Sequence, residues 1–271
     1  HVAQGSYNMN KLAGAASVTG VNPVSVIGGY KNTAKMGDGK NAAFETNFVS
    51  DSSFILNIIS PAAAGEVPAG IYDLRMSGVQ LNVKGNMNVE VDSCTFEKFD
   101  VAVTMDSTAA LALKATSFDG GGKNATAVYT ESLKSVSVEN CSFTGISAGE
   151  DGKGYALRCG NTSGDVTIKN TTFAGNQTAS LIEIGHLDGK TYLYNNTIAG
   201  NGGTECTLSL GDAVMKGNIF SGNVASKLST TSLENAYNVF SSTDEFASDL
   251  DVKLPVEQLP LYLDGTYDAN T

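Results

Sequence analysis

The chain has only two arginines and two histidines in 271 residues, and one of each falls near a glutamate: Arg158, Glu183 and His186. Carboxylates and an imidazole can do general acid–base work. If Val128, Leu157, Ile182 and Leu208 point inward, then Tyr129, Arg158 and Glu183 point outward on successive repeats, with His186, Asp188 and Glu205 at the edge of the patch. The same spacing also suits a lateral Arg158–Glu183 ion pair with no chemistry at all. A second group is Tyr192 and Tyr194 beside Lys169 and Lys216, where rings could lie against sugar faces with cations close by. The Asp-Gly turns at Asp38, Asp119, Asp151 and Asp188 make calcium the one conceivable cofactor. A lysine follows three of them, which works against a cation, and positive-φ turn chemistry accounts for the pair. No zinc spacing, phosphate loop, nucleophile elbow or dinucleotide fingerprint occurs.

These residues are carried by a repeat. Val136 to Gly145, Val166 to Gly175, Thr191 to Gly200 and Ala213 to Gly222 each show alternating apolar residues, a turn, a large apolar residue and a glycine two positions on. Looser copies run from Val89 to Phe96, Leu111 to Gly120 and Leu233 to Phe240. With the large apolar residue as marker, Phe96, Phe118, Phe143, Phe173, Ile198, Phe220 and Phe240 are spaced by 22, 25, 30, 25, 22 and 20 residues. Between markers lies another strand-like run, such as Val101 to Met105 or Cys206 to Leu210, and not a helix. Short strands at period two in a unit of about 22 residues predict a parallel β-helix, whose coils bury a shared core only by stacking.

The Phe-x-Gly-Asn of Phe173 to Asn176 and Phe220 to Asn223, with Ile198 to Asn201 as a variant, resembles the repeats of right-handed β-helix surface proteins. Those include polymorphic outer-membrane-type proteins and secreted β-helix proteins of gut bacteria. Val2 to Tyr7 and Val24 to Tyr30 resemble their opening coils. The resemblance implies an all-β, single-stranded right-handed parallel β-helix of roughly ten coils, secreted or displayed on the exterior of a bacterial outer membrane. The same fold carries pectate-lyase-like enzymes and adhesins, so it names a scaffold. The lyases of that fold pair several calcium-ligating carboxylates with an Arg or Lys. Here Lys114 separates Asp92 from Glu139, and no such set is apparent.

The expected layout is irregular coils and a cap at 1–85, a regular stack at 86–240, and a cap and tail at 241–271, all in one continuous domain. Ser242 to Glu245 matches a capping box before a short C-terminal helix. A formal charge of −11 argues against nucleic acid or an anionic membrane surface as partner. No run reaches the ~18 apolar residues of a membrane helix. His1 opens inside a coil-like pattern, so the chain reads as a trimmed piece. Cys94 and Cys141 share a column two coils apart, about 10 Å at the rung spacing and too far for a disulfide. Asn140, Asn170 and Asn195 share another position, where inward amides could bond up the stack. Several Asn-x-Ser/Thr triplets coincide with such turns and are read as structural. The outward column Asp92, Lys114, Glu139, Lys169, Tyr194, Lys216 is expected to link laterally. The preferred function is a non-catalytic, adhesin-like or carbohydrate-binding monomer whose partner is a polysaccharide or surface glycan. A polysaccharide lyase or glycoside hydrolase, and a plain structural stalk, are the alternatives.

Overall fold

The computed structural model describes residues 1–12, 14–19, 24–30, 45–59, 68–106, 109–122, 124–149, 154–178, 180–202, 206–223, 226–241 and 249–254. Every strand pairing among them is parallel, and each strand pairs with the equivalent strand one coil away. The chain is a right-handed parallel β-helix with three faces per turn. The first face runs through Val89–Asp92, Ala110–Lys114, Ser135–Glu139, Val166–Lys169 and Thr191–Tyr194. The short second face holds Thr95–Glu97, Ser117–Asp119, Ser142–Thr144, Thr172–Ala174 and Thr197–Ala199. The third holds Val101–Asp106, Thr126–Leu133, Leu157–Thr162 and Ile182–His186. Four long strands, Thr46–Ile59, Arg75–Lys84, Cys206–Lys216 and Ser226–Ala236, turn a corner and serve two faces each.

The marker column is the core of the second face. Phe96, Phe118, Phe143, Phe173, Ile198, Phe220 and Phe240 stand in one register and are all buried. Phe118, Phe143 and Phe173 stack with centroids 4.8 Å apart and planes within 9°, a distance set by the strand spacing itself. The glycine two positions after the marker has a positive φ in four coils (Gly145, Gly175, Gly200, Gly222), where a side chain would be strained.

The turn between the first and second faces needs one left-handed residue per coil. Asp73, Ser93, Ala115, Asn140, Asn170, Asn195, Gly217 and Tyr237 fill that place at φ between 43° and 70°. The expected ladder of Asn140, Asn170 and Asn195 therefore does not form. Those asparagines are exposed, chosen for backbone conformation. The residue after each turns inward instead. Asn196, Asn218 and Asn238 are buried. The carboxamide oxygens of Asn218 and Asn238 each accept both the backbone N–H and the Nδ2 of the asparagine one coil before, at 2.8–3.0 Å. Thr171 donates its backbone N–H to Asn196 at one end. At the other the Asp251 carboxylate takes the acceptor role for Asn238. A second ladder, Asn176–Asn201–Asn223, runs beside the first.

Cys94 and Cys141 are free and buried in the column that continues into Asn196. Cys159 is likewise free and buried. No helix among the described residues is long and apolar enough to cross a membrane. The capping helix expected at Ser242 to Leu250, the tail after Leu254, Glu205 and the loops at Asp38 and Asp151 lie wholly or mainly outside the described residues.

Candidate functional site

On the third face the register sets Tyr129 against Arg158 and Arg158 against Glu183. Alternation turns all three outward because Val128, Leu157 and Ile182 are buried. Arg158 Nε donates to Glu183 Oε1 at 2.8 Å. Its guanidinium carbon lies 5.0 Å from the Tyr129 centroid and 5.3 Å from that of Tyr155, so two aromatic rings flank the cation. The Glu183 hydrogen bond holds the Arg158 guanidinium even more firmly protonated than usual. Tyr129 donates to Glu131, and that bond, with burial, pushes its phenol up. Tyr155 and Glu131 complete the cluster. Alternation would set Tyr155 on the same side as inward Leu157, but the strand begins only at Leu157, which frees the Tyr155 ring to reach Arg158.

His186 is not part of this group. It lies three residues beyond Glu183, which puts it on the opposite side of the strand. A Cβ on Gly185 would collide with the Gly160 carbonyl, so only glycine fits where the register shifts after Cys159. His186 Nε2 sits 2.7 Å from Thr191 Oγ1, and Thr191 donates onward to the Leu210 carbonyl. Burial lowers the imidazole's pKa, against the opposing pull of Asp165 and Asp212. The expected trio thus divides into a surface Arg158–Glu183 pair and a corner histidine.

The first face carries the other candidates. Its outward column runs Asp92, Lys114, Glu139, Lys169, Tyr194, Lys216 in register. Lys169 pairs with Glu139 at 3.0 Å, as the column implies. Lys114 instead reaches Glu90 of the neighbouring column at 2.6 Å, and Lys216 pairs with Glu234. Diagonal partners win because the long lysine stem spans one rung and two residues at little cost. Tyr192 and Tyr194 are half-buried, with centroids 5.8 Å apart and planes tilted by 36°. They lie on the rung between those of Lys169 and Lys216.

Beside that column runs a second one: Glu90, Ala112, Ser137, Thr167, Tyr192. Three small side chains between a glutamate and a tyrosine leave a trough of about 390 Å³, which Ala110, Ser135 and Asp165 help to line. A larger hollow of about 540 Å³ lies where the first face meets the second, around Asp73, Arg75 and Glu97, and is bridged by the Arg75–Glu97 ion pair at 2.8 Å. Among the described residues no group of three or more His, Cys, Asp or Glu side chains could hold a metal ion. At Asp119 the Asp-Gly turn uses its carboxylate on the Gly121 N–H at 2.9 Å.

Three parallel faces, a stacked core column and asparagine ladders define a solenoid of the β-helix class. Residues 24–173, more than half of the chain, match the family model described as right handed beta helix region, and the chain belongs to that family. Comparison with curated proteins and with solved structures returned no match. The family's fold serves adhesins and polysaccharide-degrading enzymes alike, so the activity has to be argued from the faces.

Proposed function

We propose that this β-helix is a non-catalytic carbohydrate-binding, adhesin-like module working outside a bacterial cell, secreted or displayed on its surface, as a monomer. The observation that carries the reading is the Tyr192–Tyr194 pair on the regular first face. Two adjacent rings with apolar bodies and hydroxyl tips present the surface that stacks on a sugar while hydrogen-bonding its hydroxyls. Lys169 and Lys216 stand one rung to either side and supply further donors. Arg158 supports the non-catalytic side of the proposal. Its Nε is committed to Glu183 and its plane is flanked by two tyrosines, an arrangement that stabilises a surface, whereas His186 is turned away into a corner.

The test is a glycan array followed by titration of any hit against wild type, Tyr192→Ala and Tyr194→Ala. Binding that falls at least about tenfold in either variant, with an unchanged circular dichroism spectrum, supports the tyrosine platform. Unaltered binding in both variants moves the site elsewhere. Release of reducing ends or unsaturated sugars from any bound polysaccharide overturns the non-catalytic assignment.

A further inference from the structure

The trough on the first face is built from residues that a solvent-facing β surface does not require. Outward strand positions favour β-branched and aromatic side chains, which cover the backbone and pack across rungs. Here Ala110 and Ala112 on one rung meet Ser135 and Ser137 on the next, and Thr167 follows one rung on. The depression is bounded at one end by Glu90, which is held in place by Tyr72 at 3.2 Å and by Lys114 at 2.6 Å. At the other end the lining stops at Thr167, and Tyr192 is the next residue of the column. A flank is raised by Lys114 and by the linked Glu139 and Lys169. From Glu90 to Tyr192 there are four rung steps, about 19 Å at the usual strand spacing.

We infer that the trough is a binding groove for a single neutral, unbranched polysaccharide strand lying extended along the solenoid axis, with its leading sugar on Tyr192. This deepens the carbohydrate-binding reading above and rests on it. The dimensions argue for a strand: the groove is one side chain deep, several rungs long and open to solvent. The lining argues for sugar hydroxyls as the recognised groups. Ser135, Ser137 and Thr167 both donate and accept, Glu90 and Asp165 accept, and the alanine methyls give small apolar contacts. Charge argues for a neutral chain, since the protein carries −11 and the two charged residues that line the trough, Glu90 and Asp165, are both carboxylates, which disfavours uronates and sulfated sugars. A two-fold extended glycan and a β-stack are both regular along their lengths, so successive rungs can meet successive sugars.

The experiment is calorimetric titration with di- and hexasaccharides of cellulose, xylan, mannan and chitin, and with a polygalacturonate hexamer as the charged control. The proteins are wild type, Ser137→Tyr, which fills the trough from an outward position, and Tyr192→Ala. The expected result is that at least one neutral hexamer binds about tenfold or more tighter than its dimer. Ser137→Tyr removes that gain. Tyr192→Ala weakens both. If the hexamer binds no better than the dimer, if Ser137→Tyr is without effect, or if polygalacturonate binds best, the groove assignment is wrong while the tyrosine platform stands. If none of the sugars binds and the array is blank, both readings fail. Dimerisation of the free protein that Ser137→Tyr abolishes would give the trough to a second copy and refute the proposal.

Discussion

Replacing Asn218 by alanine tests the interior ladder more sharply than any other single change. Asn218 is fully buried. Its Oδ1 accepts from the Asn196 N–H at 2.9 Å and from Asn196 Nδ2 at 3.0 Å. Its Nδ2 donates to the Leu193 carbonyl at 2.9 Å and to Asn238 Oδ1 at 2.8 Å. Alanine deletes all four. The Asn196 N–H is left buried without an acceptor, at roughly 1–3 kcal/mol, and the other losses add about 0.5–1 kcal/mol each where the partner keeps a second bond. The sum is about 2.5–6 kcal/mol, large for a single substitution. The neighbouring asparagine is the control. Asn195 is exposed with φ 55°, so Asn195→Ala is expected to cost only about 1–2 kcal/mol, the left-handed penalty. Asn195→Gly is expected to be nearly neutral, because Gly217 already holds the equivalent place in the next coil. Denaturant midpoints rank the three variants. Since a solenoid can open from one end, amide exchange at Asn196 and Asn218 should be measured as well. Were Asn195→Ala to destabilise as much as Asn218→Ala, the assignment of inward and outward asparagines would be wrong.

Four further outcomes are expected. Ala115→Gly should stabilise by up to about 1 kcal/mol, because Ala115 sits exposed at φ 43°; a lower thermal midpoint would contradict that. Phe143→Ala should cost about 3–5 kcal/mol by opening a cavity between the stacked rings of Phe118 and Phe173, read in equilibrium unfolding. Burial lowers the pKa of His186 from its ordinary 6.5, so below that pH the unfolded chain takes up the proton more readily than the native one. Stability is therefore complete above 6.5 and falls as pH drops through the native value. His186→Gln should flatten that dependence in denaturation series from about pH 7.5 to 5. Burial pushes Cys94 and Cys159 up to about 12 and Cys141 up to about 11. In a Cys206→Ser background native protein should therefore resist a thiol reagent that titrates all three sites once it is unfolded.

The stack was legible because its signal is redundant. Seven marker residues, the alternating apolar pairs and the glycine two positions on all report the same coil, so spacing alone recovered the register. The ladder was misplaced by one residue because Asn195 and Asn196 are adjacent and composition cannot separate them. Parity could have. Phe173 and Ile198 point inward, so Thr171 and Asn196, two residues earlier, must point inward too, in the column that also holds Cys94 and Cys141. Period two likewise separates His186 from Glu183, three positions apart. The meeting of Arg158 and Glu183 was visible in register, whereas Tyr155 and the diagonal partners of Lys114 and Lys216 depend on side-chain reach. The trough is a pattern of missing bulk, and a search for chemistry-bearing residues passes over alanine and serine.

The ladder has one more consequence. Each asparagine accepts from the coil before it and donates both back to that coil and forward to the next, so every member in the middle is interchangeable with its neighbour. A coil duplicated between Asn196 and Asn218 would find its amide acceptors and donors already in place on both sides. Asp251 ends the run because a carboxylate accepts as an asparagine does but offers no Nδ2 to a further coil. A whole turn could therefore be added or removed inside the ladder while Asp251 still closes it with the same pair of hydrogen bonds.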